Sequence, residues 1–270
     1  MREASVGFQC PECVAQGRRT QRPARTAFGG GPLGERGYVT ITLIAVNVIM
    51  LLASLASARN AGGALAGQGF GGLLGGITPL MQRLGVQGQA QLNDGQVIPY
   101  GIANGEYYRL FTAMFMHYGA LHILMNMWAL WVLGRTLEMA LGPVRFLALY
   151  LVAGLGGNVA AYLWQPGALS AGASTALFGL FAALVIVLRR MRRDISTVIP
   201  VIVLNLIITI SVPGISIAGH LGGFVTGGLV GAGIAYAPRA NRTLVQVLAV
   251  VGMLAVLVVL TLTKTAALRG

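Results

Sequence analysis

Residues 216–236 read SIAGHLGGFVTGGLVGAGIAY, a run of 21 residues without Asp, Glu, Lys or Arg and with a single imidazole, His220. A membrane-crossing helix needs about 20 predominantly apolar residues. The run is therefore long enough to cross a bilayer. Within it Gly219, Gly223, Gly227 and Gly231 recur at every fourth position, with Gly222 and Gly228 beside them. On a helix this spacing leaves a bare ridge along one face, against which a second helix can approach backbone to backbone. A histidine inside such a run is costly to hold in lipid and marks a functional candidate. The stretch predicts close-packed membrane helices with chemistry on at least one of them.

Similar apolar runs lie at about 39–57, 119–134, 144–164, 172–188, 197–212 and 243–263, which with 216–236 makes about seven expected spans. The composition agrees: 56% of the 270 residues are hydrophobic, 39 more are Gly, and only 10% are charged. Soluble domains reach only about 45–50% apolar with Gly included. A water-soluble globule is excluded, and so is disorder arising from low hydrophobicity. The fold class expected is all-α, a polytopic transmembrane helical bundle. The net charge of +12 does not indicate a nucleic-acid partner, because the basic residues fall in short runs between apolar stretches rather than along one folded face. The partner implied is the lipid bilayer.

Those runs also orient the chain. Arg18, Arg19, Arg22, Arg25 and Arg36 precede the first expected span, and Arg135 and Arg145 bracket the second connection. Arg189, Arg190, Arg192 and Arg193 follow the fourth span, and Arg239 and Arg242 follow the sixth. All fall on one side, which the positive-inside rule makes cytoplasmic, with the N-terminus. The long first loop, 58–118, is then outside, as are Lys264 and Arg269 after the last span, a mild exception to the rule. No cleavable signal sequence is read at the N-terminus. The first half of the loop, Gly62 to Gly76, is Gly, Ala and Leu and is expected to be flexible or to rest in the lipid interface. Its second half, Glu106 to Tyr118, carries Tyr107, Tyr108, Phe111, Phe115 and Tyr118, a composition suited to folding against the interface. In the tail, Cys10-Pro11-Glu12-Cys13 is a CxxC that supplies half of a tetrahedral zinc site. A truncated zinc ribbon, an intermolecular site and a vestige are all open readings, and none gives it a role in chemistry.

Polar groups in the expected spans are few. They are His117, His122 and Asn126 at the start of the second, Asn158 in the third, Ser174 opening the fourth, Asn205 in the fifth and His220 in the sixth. The central part of every span lacks Asp and Glu, which excludes a paired-aspartate protease, an HExxH metalloprotease and a carboxylate proton relay. No metal and no cofactor is expected. His122 and Asn126, four residues apart, share one helix face. Ser174 opens its helix, where unpaired N–H groups and the positive end of the dipole favour a developing oxyanion. A hydroxyl needs a neighbouring base, and His220, on a Gly ridge near the same membrane face, can come within reach. Phe178 lies one turn deeper than Ser174, where its ring can buttress the imidazole. The constellation is Ser174 as nucleophile, His220 as base, and His122 and Asn126 as oxyanion donors with the Ser174 N–H. Singly, each residue has a plainer reading: an N-cap for Ser174, packing for the glycines. Asn158 and Asn205 are expected to make helix–helix hydrogen bonds.

His117-x4-His122-x3-Asn126, Gly172-Ala173-Ser174 and Gly219-His220-Leu221-Gly222-Gly223 together resemble the signature set of the rhomboid family of intramembrane serine proteases. Glu106-Tyr107-Tyr108-Arg109 is similar to the Trp-Arg element of that family's first loop. The resemblance runs from about 38 to 237 and divides the chain into a cytoplasmic tail, 1–37, a rhomboid-like six-helix core, 38–237, and a seventh span with the C-terminus, 238–270. It implies a Ser174–His220 dyad without a carboxylate, oxyanion stabilisation by His122 and Asn126, an aromatic at Phe178 against the catalytic His, and supporting roles for Gly172 and Arg109. His117 would help to organise the first loop. Thr175 stands where Gly usually follows the nucleophile, Gly219 where Ala is usual, and Tyr108 where Trp is typical. The function implied is cleavage of transmembrane protein substrates near the outer face of a bacterial plasma membrane. The rivals are a noncatalytic rhomboid-like protein that binds client helices and a small-solute transporter, which would require an internal repeat and polar pore-lining residues on several spans; neither is seen.

Overall fold

The computed structural model describes residues 2–3, 7–20, 25–31, 36–60, 76–91, 97–98 and 100–270. Helices dominate these residues: α1 (Pro11–Thr20), α2 (Tyr38–Asn60), α3 (Pro79–Leu84), α4 (Arg109–Thr112), α5 (Ala120–Leu141), α6 (Pro143–Trp164), α7 (Ser174–Arg190), α8 (Val198–Ser211), α9 (Ile217–Ala235) and α10 (Arg242–Arg269). Extended pairing among the described residues is confined to two-residue antiparallel pairs, Arg2–Glu3 with Phe8–Gln9 and Ala90–Gln91 with Val97–Ile98, and to the single bridge between Val86 and Ser170. Each of the seven expected apolar runs coincides with a helix, and α2, α6, α9 and α10 are individually long and apolar enough to cross a membrane. The bundle's outer surface is apolar, as lipid contact requires: Val144, Trp164, Ile210 and Leu124 are all more than half exposed.

The centre is formed by α6, α7 and α9, which pack on one another more closely than any other helices. Their small residues make this possible. A Cβ on Gly157 would stand 2.5 Å from the Gly219 carbonyl oxygen, and one on Gly227 would stand 2.5 Å from the Gly179 carbonyl oxygen. One on Gly223 would collide with the Thr175 backbone, and one on Gly231 would lie 2.9 Å from the Ala183 Cβ. The ridge of four glycines thus faces α7 and α6, as its spacing predicts.

The first loop is folded where it is described. Arg109, fully buried, donates to Glu106 Oε2 at 2.6 Å and to the Gln82 carbonyl at 2.5 Å, with its guanidinium 4.3 Å from the Tyr100 ring centre. One charged side chain thereby ties α3 to α4 and satisfies loop carbonyls that would otherwise be buried unpaired. Thr112 Oγ1 adds a bond to the Leu84 carbonyl at 2.7 Å. The C-terminal end of α10 closes over this loop: Gln89 Nε2 donates to the Leu268 carbonyl at 3.1 Å, Arg269 Nε donates to the Ala103 carbonyl, and Tyr162 and Thr265 share a hydrogen bond of 2.9 Å. The Gly62–Gly76 stretch lies almost wholly outside the described residues.

Three expectations need correcting. The second apolar run does not stop at 134: α5 continues to Leu141, so Arg135 lies in the helix, and Gly142 alone connects it to α6. The extension is held by Glu138, fully buried, whose carboxylate accepts from Val39 N at 3.0 Å, Thr40 N at 2.9 Å and Thr40 Oγ1 at 2.7 Å. These are first-turn donors of α2, which have no partners within their own helix. Asn158 does make the expected helix–helix hydrogen bond, donating to the Leu110 carbonyl of the short loop helix α4 at 2.8 Å. Asn205 donates to the Val201 carbonyl of its own helix at 2.8 Å and, among the described residues, makes no hydrogen bond to another helix. Finally, Lys264 and Arg269 belong to α10 itself, which runs on through Arg269. In the tail, the turn at 25–31 docks on the bundle through buried Phe28, whose carbonyl accepts from Gln246 Nε2 at 3.2 Å.

Candidate active site

Ser174 is the first residue of α7, and the chain reaches it through Gly172. Gly172 has φ +139° and donates its N–H to the Ala113 carbonyl at 2.9 Å. A side chain at this position would be strained and would place Cβ 2.9 Å from His122 Cε1. The Ser174 hydroxyl does not cap the helix. It lies 2.8 Å from His220 Nε2. His220 sits in the first turn of α9, whose start is fixed by Ser216 Oγ accepting from Gly219 N at 3.0 Å. The two helices can bring these side chains together because Gly223 and Gly219 leave room for Thr175 and Gly157 between them. Thr175, in the position where Gly was the expected residue, spends its side chain filling that contact and is buried.

The imidazole is held from two further directions. Phe178 stacks on it with ring centres 4.1 Å apart and planes 16° from parallel. Its other nitrogen, Nδ1, is 2.8 Å from Thr209 Oγ1 on α8. Thr209 was not anticipated. The available signal was a hydroxyl four residues after Asn205, the two being polar exceptions in residues 201–210, which are otherwise Ile, Val and Leu.

His122 faces the same space from α5. Its Nδ1 accepts the Tyr118 backbone N–H at 3.4 Å, so the ring's proton resides on Nε2 in the neutral form. A Cβ built on Gly172 would be 3.0 Å from that Nε2 and 3.5 Å from Ser174 Oγ. The donor and the hydroxyl therefore border one small space. Tyr118 stacks on His122 at 5.8 Å and donates its hydroxyl to the Leu169 carbonyl at 2.9 Å. Burial pushes the Tyr118 phenol up to about 12, so this donor persists at any pH the protein meets. Asn126, one turn along α5, is buried and its amide nitrogen has no hydrogen-bond partner among the described residues. Leaving such a donor unpaired costs about 1–3 kcal/mol, a cost removed when an acceptor enters. His117 is buried with its ring 5.0 Å from that of His122. Arg109 stands apart from this group and acts on the loop. Among the described residues no cluster of His, Cys, Asp or Glu has the makings of a metal site.

Comparison with known proteins is consistent with this geometry. A family model described as the rhomboid domain matches residues 104–237, from the 3₁₀ turn ahead of α4 to the end of α9. Rhomboid protease GluP of Bacillus subtilis (strain 168) is 39% identical over 145 residues, covering 52% of this chain and 28% of GluP. RHOMBOID-like protein 1 of Arabidopsis thaliana is 37% identical over 133 residues, 47% of this chain and 34% of its own. RHOMBOID-like protein 5 of the same plant is 35% identical over 139 residues, 48% of this chain and 45% of its own. The chain spans less than half the length of each of these relatives.

Proposed function

The chain belongs to the rhomboid family of integral membrane proteins, and we propose that it is an intramembrane serine endopeptidase acting through a Ser174–His220 dyad. The observation that carries this reading is the 2.8 Å hydrogen bond from Ser174 Oγ to His220 Nε2. A serine hydroxyl is a poor nucleophile until a base takes its proton, and among the described residues His220 is the base hydrogen-bonded to it.

In the proposed reaction Ser174 Oγ attacks the carbonyl carbon of the scissile peptide while its proton passes to His220 Nε2. The carbonyl electrons move onto oxygen, and that oxyanion accepts hydrogen bonds from His122 Nε2 and Asn126 Nδ2. Collapse of this intermediate breaks the C–N bond, and the leaving amine takes the proton from His220. Water, deprotonated by the same imidazole, then attacks the acyl-serine ester, and return of the proton to Ser174 Oγ releases the new carboxylate. Phe178 keeps the ring plane fixed through both half-reactions. The peptide must be free of helical hydrogen bonding for its carbonyl to be attacked. Transmembrane protein substrates with small or helix-breaking residues near the boundary fit this need.

The same reading places the site toward the outer face and the N-terminus in the cytoplasm, on the Arg asymmetry. It assigns the catalytic core to 38–237, flanked by the tail 1–37 and the segment 238–270, and the location to a bacterial plasma membrane. A serine-directed fluorophosphonate, applied to the purified protein in detergent, tests the central assignment. Covalent labelling that maps to Ser174 and disappears in Ser174→Ala is expected. Absence of labelling in a folded protein that still cleaves a reporter would overturn it.

A further inference from the structure

We propose that Thr209 is a positioning residue that holds His220 in the tautomer carrying its proton on Nδ1; the proposal rests on the Ser174–His220 reading above. The argument follows one proton. Thr209 Oγ1 lies 2.7 Å from the Asn205 carbonyl oxygen and 2.8 Å from His220 Nδ1. A carbonyl only accepts, and a hydroxyl has a single proton to give. If Thr209 gave that proton to the imidazole, two oxygens would face each other at 2.7 Å with no hydrogen between them, which is repulsive. The Thr209 proton therefore points to Asn205, and its oxygen is left to accept. Nδ1 must then be the donor. In a neutral ring with hydrogen on Nδ1, Nε2 carries a lone pair, and this is the nitrogen facing Ser174 Oγ at 2.8 Å.

Among the described residues no other group in the site does this. Phe178 stacks on the ring face and fixes its plane, but a flat ring is indifferent to which nitrogen is protonated and to a half-turn of the imidazole. Ser174 itself accepts or donates equally well. Thr209 alone distinguishes the two nitrogens, through a helix carbonyl in place of the carboxylate that orients the base in serine proteases of other folds. Its setting fits that task. On α8 the buried side chains are Ile202 and Thr209, so Thr209 is the polar contribution of that helix to the interior.

The test joins spectroscopy to kinetics. The chain has three histidines, so ¹⁵N-histidine labelling with His117 and His122 substituted in turn assigns the His220 resonances in detergent. The wild type is expected to show a protonated Nδ1 and an unprotonated Nε2. A wild-type His220 protonated on Nε2 would overturn the proposal without recourse to any variant. Thr209→Val, which keeps the shape and loses the hydroxyl, and Thr209→Ala are expected to shift His220 to a mixture of tautomers. They should lower kcat on a single-span reporter by about 10–100-fold, the scale known for groups that orient a metal-bound histidine, with KM little changed. Thr209→Ser should restore both signals. Wild-type kcat in Thr209→Val, or reduced kcat with the Nδ1 proton unmoved, would refute the role while leaving the dyad standing. Full activity in Ser174→Ala would instead remove the serine reading and this proposal with it.

Discussion

His122 borders the Ser174 hydroxyl across Gly172, and Asn126 holds a buried amide nitrogen with no partner among the described residues; here single residues give the sharpest expectations. In the proposed reaction their bonds form to a charge that exists mainly in the transition state, so His122→Ala and Asn126→Ala should lower kcat with little change in KM. Loss of one such donor costs on the order of 10²–10³ in rate at a comparable oxyanion site. Steady-state kinetics on a reporter substrate would reduce both residues to packing roles if kcat were unchanged. The proximity of His122, Phe178, Ser174 and His220 was legible in the sequence, because a polar or aromatic group at a set spacing in an apolar helix has few cheap explanations. Thr209 was not, for a physical reason. A threonine in a membrane helix satisfies itself on the carbonyl four residues back, as Thr209 does on Asn205, so nothing in the sequence marks the second bond. Tyr118 was read as an interfacial ring, and its contacts with His122 and Leu169 depend on a loop path that residue type does not encode.

Among the elements, the four-residue glycine ladder of α9 was the most informative feature, since its period could serve only a close helix neighbour. Gly227→Val would drive a branched side chain into the Gly179 backbone. Overpacking of this kind costs about 1–3 kcal/mol, and because α7 and α9 carry Ser174 and His220, activity should fall along with stability. Thermal unfolding in detergent should show a lowered midpoint; an unchanged midpoint would mean the ridge does not hold the bundle. Element ends were less legible. Arg135 reads as the beginning of a connection, yet α5 continues past it, because the α2 amides at Val39 and Thr40 supply the Glu138 carboxylate with donors. Arg135 lies with its guanidinium 4.8 Å from the Trp131 ring centre. A charge near a helix end reads as a boundary only until its partner, distant in sequence, is known.

For the whole molecule, the basic ends and the site fall at opposite ends of the same helices. Ser174 begins α7 and Arg189 and Arg190 finish it, while α10 starts at Arg242 and ends against the first loop. The account predicts that Gln89 faces outside and Arg192 the cytoplasm. With Cys10 and Cys13, both exposed, replaced by serine, Gln89→Cys should react with a membrane-impermeant maleimide in intact cells and Arg192→Cys should not. The reverse pattern would invert the topology and move the site to the other face. At this scale the sequence supplied the class of molecule and the order of its spans, since both follow from apolar run length. It did not supply the docking of the 25–31 turn or of the α10 end, which rest on side chains such as Gln246 and Gln89 that are ordinary in any loop or helix.

The central claim is that Ser174 and His220 act as one unit, each of value only through the other. Members of such a unit lose activity non-additively when removed. The direct measurement is a double-mutant cycle on cleavage of a single-span reporter in liposomes, using Ser174→Ala, His220→Ala and the two combined. All three are expected to fall to the same floor, with the double variant no worse than either single one. Near-normal cleavage by Ser174→Ala, or two losses that multiply in the double variant, would contradict the account.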